Sequence, residues 1–222
     1  MPSDTFFNLP KEKQRRILEA AKKEFSRASL NEASIANVIK DAEIPRGSFY
    51  QYFENKEDLY YYCFHTLGRD SHQMLIDVIQ KADGDLFAGF EDYFARLLPE
   101  IFSGENALFY KNVFMGMDYH GFHRVVPHLH KRPELHHQAK KSEHKKHQQE
   151  LLAAINRDTL KVHDDQELQL LLQLLMHTVF STIADGYRRC LGADVYDVAQ
   201  ISKNFASKIN WLKNGARKEQ DK

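Results

Sequence analysis

Apolar side chains recur every three or four positions through most of this chain, and the places where that rhythm stops divide it into segments. Ile17, Leu18, Ala21 and Phe25 share one face and predict a first helix running to about Ala28, with Asn8 as its cap and Pro10 in its first turn. Ile35, Val38, Ile39 and Ala42 predict a short second helix, and Phe49 with Phe53 the apolar side of a third. From Lys56 the positions Leu59, Tyr60, Phe64, Leu67, Met74, Leu75 and Val78 predict one long helix through about Lys81, ended by Asp83-Gly84-Asp85. Leu86, Phe87, Phe90, Tyr93, Phe94, Leu97 and Leu98 mark an amphipathic helix, and residues 107–117 a shorter apolar one. Residues 118–133 lack periodicity and read as a loop, and 134–150 are polar all round, as in a solvated or projecting helix.

The C-terminal third is patterned differently. Asp164, Asp165 and Glu167 place acid at the positive end of a helix whose Leu168, Leu171, Leu172, Leu175, Val179, Phe180 and Ile183 belong to an almost continuous apolar circumference, closed by Gly192. A helix apolar nearly all round needs cover on two sides. Val195, Val198, Ile201, Phe205, Ile209 and Leu212 then form a three-four alternation suited to helix–helix packing, and the charged tail beyond residue 214 lies outside the pattern. The fold class is therefore all-α.

Residues 34–53 carry the chemistry. Ser34 is placed to cap the second helix, with Asn37 where a capping box would need Glu or Gln. Ile44 plugs the turn, Pro45 presets the backbone for the third helix, and Gly47 leaves room for close backbone approach. With Phe49 and Phe53 facing inward, Arg46, Ser48, Tyr50, Gln51 and Tyr52 are left for the outer and N-terminal sides. One apolar stripe for anchorage and donors on the opposite face is the division that a helix entering the major groove requires.

The run Ile44-Pro45-Arg46-Gly47-Ser48-Phe49-Tyr50-Gln51-Tyr52-Phe53-Glu54-Asn55-Lys56-Glu57-Asp58-Leu59 closely resembles the helix-turn-helix signature of TetR-type transcriptional regulators. The glycine, the aromatic pair, the aromatic-Phe ending and the Lys-Glu-x-Leu that follows recur together in that family, and the resemblance spans roughly the first sixty residues. Glu43 departs from it, standing where the family usually has a turn glycine. The resemblance implies a DNA-binding head over 1–55 and an effector-binding and dimerisation domain over 56–222. Arg46 and Gln51 are the base-reading candidates, because Arg reads guanine and Gln adenine bidentately. Ser34, Tyr50, Tyr52 and Lys56 are the candidates for phosphate contact, Ser48 for either role, and Gly47 for close approach. The last two helices resemble the family's four-helix dimer interface, with Leu172, Leu175, Val179, Ile183, Val198, Ile201, Phe205 and Ile209 as candidates. Two heads on a two-fold axis would meet a palindromic operator in successive major grooves about 34–36 Å apart.

The aromatic wealth of the middle helices has two uses, ordinary core or the lining of a pocket for a bulky, apolar or amphipathic effector. Phe64, Phe90, Phe94, Phe109, Phe114, Met117, His177 and Phe180 are the lining candidates, methionine adding adaptability. These features describe a ligand-responsive dimeric repressor. The alternatives are an activator or architectural DNA-binding protein without an effector, or a metal- or pH-sensing regulator.

Composition narrows these readings. Of 222 residues 42% are hydrophobic, enough for a sizeable core, and ten glycines with six prolines suit long helices. No apolar run is expected to span a bilayer, no secretory leader is expected at the start, and Cys63 and Cys190 have neither pairing nor metal spacing, which suits a reduced, cytoplasmic protein. Lys plus Arg and Asp plus Glu number 31 each, so any basic footprint must come from arrangement rather than excess. His120, His123, His128, His130, His136, His137, His144 and His147 crowd one region and leave three readings open: metal ligands, a pH-responsive patch, or a solvated, weakly basic face. No nucleophile triad, glycine-rich phosphate loop or paired-carboxylate signature is present, so neither an enzyme nor a cofactor is expected.

Overall fold

A computed structural model describes residues 2–116, 121, 146, 148–189 and 196–216. The expected loop, most of the polar helix, the eight clustered histidines, Met117, Cys190, Gly192 and Val195 lie outside these residues. The described elements are helices, with α1 at Asp4–Phe7, α2 at Lys11–Arg27, α3 at Ile35–Asp41, α4 at Arg46–Tyr52, α5 at Lys56–Leu67, α6 at Arg69–Lys81, α7 at Leu86–Ser103 and α8 at Ala107–Gly116. After a helical stretch at 148–154 come a single 3-10 turn at Arg157–Thr159, α9 at Asp165–Arg189 and α10 at Val198–Ala216. Packing divides the chain into two units, residues 1–69 with 100–125 and residues 70–99 with 126–222. The expected DNA-reading segment, residues 1–55, thus lies inside a larger packing unit.

The first unit is built around α2. Ile17, Ala21 and Phe25 are buried along it, α2 packs on α3 and α5, and Val38 of α3, Ala42 at its C-cap, Phe49 of α4 and Leu59 and Tyr60 of α5 are buried as well. Phe25 meets Tyr60 edge-on at 4.9 Å, and Tyr60 meets Phe109 of α8 at 5.6 Å. Asn112 of α8 donates its side-chain amide to the carbonyls of Phe25 (2.7 Å) and Ser26 (3.2 Å), capping the end of α2. The chain start departs from expectation. Asn8 ends a short extra helix, α1, and Pro10 occupies the N-cap of α2. Phe6 of α1 is fully buried, 5.0 Å from the ring of Phe53.

The turn between α3 and α4 explains how Glu43 replaces glycine. Its φ is 50°, the left-handed region, and the Ile44 N–H reaches the Ile39 carbonyl (3.2 Å) while the Glu43 N–H reaches that of Lys40 (3.2 Å). This pair of bonds is a Schellman motif, with Ile44 as its apolar plug. Arg16 of α2 holds the Glu43 carboxylate at 3.2 Å.

The long linking helix is interrupted. Gly68, at φ −86° and ψ 11°, leaves the helical path and separates α5 from α6. Glycine in a helix interior costs about 1 kcal/mol relative to alanine, which makes it the natural breaking point.

In the second unit α9 and α10 pack along each other. Leu168, Leu172, Leu175, Val179 and Ile183 of α9 are buried, as are Ile201, Phe205 and Ile209 of α10. Phe205 stacks on Phe94 at 3.8 Å with the rings 13° from parallel. Asp164 caps α9 by accepting the Glu167 N–H (2.8 Å). One expectation needs correction. By length and composition α9 is apolar enough to cross a bilayer, although 44% of its most apolar window is buried inside the protein itself.

Glu43→Gly should stabilise the protein by about 1 kcal/mol. It relieves a left-handed side chain and gives up an exposed ion pair of lesser value. Urea unfolding measures this, and a loss of stability would mean that Arg16 is the larger factor.

Candidate nucleic-acid interface

What begins α3 is not the residue expected. Ser34 has the extended backbone of an N-cap (φ −107°, ψ 120°), yet its hydroxyl makes no capping bond. Glu24, buried on α2, reaches across instead. Its Oε1 accepts the Ser34 N–H at 2.7 Å, and its Oε2 accepts the Asn37 side-chain amide at 3.1 Å. Arg27 grips both carboxylate oxygens, at 2.6 and 3.0 Å. That fork, then the Ser34 and Asn37 donors, hold the Glu24 carboxyl down to about 2. An ionised acceptor with several donors outcompetes a hydroxyl, which corrects the assignment of Ser34 as its own cap.

On α4, Phe49 and Phe53 are fully buried, as the spacing implies. Arg46, Gly47, Tyr50 and Gln51 are exposed and Ser48 half-exposed. Tyr52 corrects the expectation of an outward side chain. It is buried, 6.3 Å from the Phe6 ring, with the Lys13 ammonium 5.7 Å from its own centroid. Positions 49, 52 and 53 are spaced as i, i+3 and i+4, so the signal was present. What it lacked was α1, whose Ser3 N–H bonds the Tyr52 carbonyl at 2.8 Å and closes over that side.

Between α3 and α4 lies a cleft of about 410 Å³. Ala33, Ile35, Ala36 and Ile39 form its apolar part, Ser34 and Tyr50 add hydroxyls, and Lys40, Arg46 and Lys56 add positive charge; no acid lines it. Lys40 lines this cleft and was not among the sequence candidates, since its position on α3 reads as ordinary surface. Pairing takes up several acids of this unit. Glu12, Glu19, Glu24, Asp41 and Glu43 are each bound by Arg15, Arg16, Lys23 or Arg27 of α2. Lys40 and Arg46 make no ion pair among the described residues and concentrate positive charge at the cleft. Lys56 is committed differently: its Nζ donates to the carbonyls of Asn31 (3.0 Å) and Ala33 (2.9 Å). At Gly47 an added Cβ would meet nothing within 4 Å, so the chain's own packing does not require a glycine there.

The remaining candidates fall elsewhere. Phe64, Phe109 and Phe114 belong to the first unit and Phe90, Phe94, His177 and Phe180 to the second. Phe90, Phe94, Phe109 and Phe114 are buried as core, and Phe64, His177 and Phe180 are half-buried. Leu172, Leu175, Val179, Ile183, Ile201, Phe205 and Ile209, expected at a dimer interface, are buried within one chain, and Val198 is half-buried. Periodicity identifies a face that must be covered but not which chain covers it. The apolar side chains that α9 and α10 leave exposed are Leu170, Leu174 and Trp211. Among the described residues no cluster of His, Cys, Asp or Glu is placed to hold a metal ion, and burial pushes the Cys63 thiol up to about 12, away from nucleophilic use.

Two short helices joined by a Schellman turn, the second with a buried aromatic stripe and an exposed donor face, constitute a helix-turn-helix. Residues 17–63 match the family of bacterial regulatory proteins of the tetR type, and residues 85–216 match the tetracyclin repressor-like C-terminal domain. The chain belongs to the TetR family of transcriptional regulators, whose members are generally DNA-binding proteins rather than enzymes. No curated protein sequence matches it. Among solved structures it resembles NalD, the secondary repressor of the MexAB-OprM multidrug efflux pump of Pseudomonas aeruginosa, at 16% identity over 95% of this chain and 99% of that one, TM-score 0.57. It likewise resembles SmeT, the repressor of the Stenotrophomonas maltophilia efflux pump SmeDEF, at 12% identity over 96% and 93%, TM-score 0.56. A TetR-family regulator from Pectobacterium atrosepticum matches at 17% identity over 95% and 97%, TM-score 0.56. At these identities the likeness shows a shared fold.

Glu24 links the interface to pH. Its folded value is lowered, so its contribution to stability is complete above the ordinary 4.5 and is lost as pH falls through about 2. Glu24→Gln should cost about 1–3 kcal/mol at pH 7, with the gap to wild type closing between those two values. Thermal unfolding across the range measures the gap, and a constant gap would remove Glu24 ionisation as the cause.

Proposed function

We propose that this protein is a dimeric, ligand-responsive repressor acting in the cytoplasm on a palindromic operator. The observation that carries the DNA-binding part is the cleft at the helix-turn-helix, whose lining holds Lys40, Arg46 and Lys56 and no acid. In this reading α4 enters the major groove. Arg46 and Gln51 read base edges, while Ser34, Ser48, Tyr50 and Lys40 meet the sugar–phosphate backbone. Gly47 lets the α4 backbone lie against a phosphate, which fits the empty space around it.

Seven residues of recognition helix contact few base pairs, so operator affinity requires a second head. The stripe carrying Leu170 and Leu174 on α9, with Trp211 of α10, supports pairing of two copies through these helices. An apolar or amphipathic effector bound in the C-terminal domain displaces α5 and α6 and alters the spacing of the heads. A coupling of about 1–3 kcal/mol would change operator affinity by roughly 5–150-fold. That NalD and SmeT repress efflux pumps supports the repressor reading.

Selecting bound duplexes from a random pool, then repeating the binding with candidate lipophilic compounds, tests the whole reading; a protein that ignores every duplex at low salt overturns it. Arg46→Ala should lower operator affinity by about 1–3 kcal/mol and relax preference at one base pair, whereas equal loss on random DNA would remove it from base reading. Gly47→Ala should raise stability by up to about 1 kcal/mol, since alanine is the better helix former, yet weaken binding to all duplexes. Unchanged binding would mean that no phosphate lies there.

A further inference from the structure

The peptide group between Ala33 and Ser34 is held from both ends by charged side chains of different helices. Its carbonyl accepts from the Lys56 ammonium of α5 at 2.9 Å, and its N–H donates to the Glu24 carboxylate of α2 at 2.7 Å. Lys56 also takes the Asn31 carbonyl at 3.0 Å, so it spans the approach to α3. Glu24 is locked in turn by the Arg27 fork and by Asn37. We propose that Glu24 and Lys56 are positioning residues that grip this one peptide from opposite sides and set the entry of α3, and that Lys56 acts on DNA through this grip and not by touching phosphate.

The grip has two consequences. A peptide fixed at both its donor and its acceptor cannot rotate about its flanking bonds, so the first turn of α3 keeps one orientation before DNA arrives. And because Glu24 supplies the cap, the Ser34 hydroxyl is left for the cleft, which it lines. Lys56 sits in the first turn of α5, so a shift of α5 pulls on the same peptide. This deepens the proposed function and rests on it for the DNA-binding readout.

The test uses the full chain and Lys56→Met, which keeps the stem and removes the donors. Lys56 is half-buried at the surface, and the variant should fold as the parent does, which its circular dichroism and thermal unfolding check. Two quantities are read: exchange of the Ser34 amide with solvent in the free protein, and affinity for a duplex selected from a random pool over a range of salt. Lys56→Met should speed Ser34 exchange and weaken binding, each by about tenfold, as for loss of a charged hydrogen bond, with the slope of affinity against salt unchanged. A slope shallower by about one unit per head makes Lys56 a phosphate contact and overturns the proposal. Unchanged exchange overturns it as well. Glu24→Gln should speed Ser34 exchange likewise, and combining the two should cost less than the sum of the separate losses; strict additivity would mean two unrelated contacts. If the wild type binds no duplex, the regulator reading falls, whereas the exchange measurements still decide whether the grip exists.

Discussion

Two helices of seven residues cannot stay folded on their own in water, and the DNA-reading half of this molecule follows from that constraint. Each must be held by something outside itself. For α4 the hold is apolar: Phe49 and Phe53 are driven into the core formed by α2 and α5, and Phe6 folds over Tyr52 from the chain start. For α3 it is partly polar. Val38 and Ala42 anchor the inner face, but the helix start depends on a carboxylate supplied by α2. A buried acid is tolerated there because four donors from three residues surround it. The long helix α2 is therefore less a third member of a bundle than the frame on which two otherwise unstable pieces are mounted.

That framing also accounts for how an electrically neutral chain concentrates positive charge in one place. The acids of the first unit are not spread to oppose its bases evenly. Several lie within reach of α2, whose arginines and Lys23 take them up. Exposed pairs of this kind add little to stability, typically less than about 1 kcal/mol each. Their larger effect is electrostatic, because they neutralise part of the negative charge of this unit, while the cleft itself is lined by Lys40, Arg46 and Lys56 and by no acid.

Much of this was legible in the sequence, and the parts that were not share a cause. The apolar stripes of α2, α3 and α4 could be read because periodicity reports burial directly, and the turn because Ile44 and Pro45 carry local chemistry. Glu24 could not, since nothing in its own neighbourhood says that its partners stand ten and thirteen positions away. The hydrogen bonds of Lys56 were hidden for the same reason: its carbonyl partners precede it by more than twenty residues. Gly68 was visible but outweighed by the apolar pattern running through it. In the C-terminal pair the buried face was legible but its cover was not, because Leu172 or Phe205 looks the same whether that cover comes from its own chain, as it does here, or from a second copy.

The circumference of α9 shows why that distinction matters physically. A helix passing a test of length and apolarity can be a membrane span, a buried core helix or one face of an interface, and the three differ in how the polar residues are disposed. Thr178 and Thr182 lie on the covered side with their hydroxyls returned to the carbonyls of Leu174 and Thr178, and Lys208 of α10 reaches Thr182 at 3.0 Å. The outward stripe continues from Leu170 and Leu174 to Ser181, which is also exposed. The Ser181 hydroxyl is returned to the Thr178 carbonyl at 3.2 Å, so the stripe carries its polar group satisfied within the helix. A few large apolar residues beside small polar ones are also what a helix presents when it packs closely on another, so apolarity alone does not separate the three cases; the disposition of Thr178, Thr182 and Lys208 shows only which side its own chain covers.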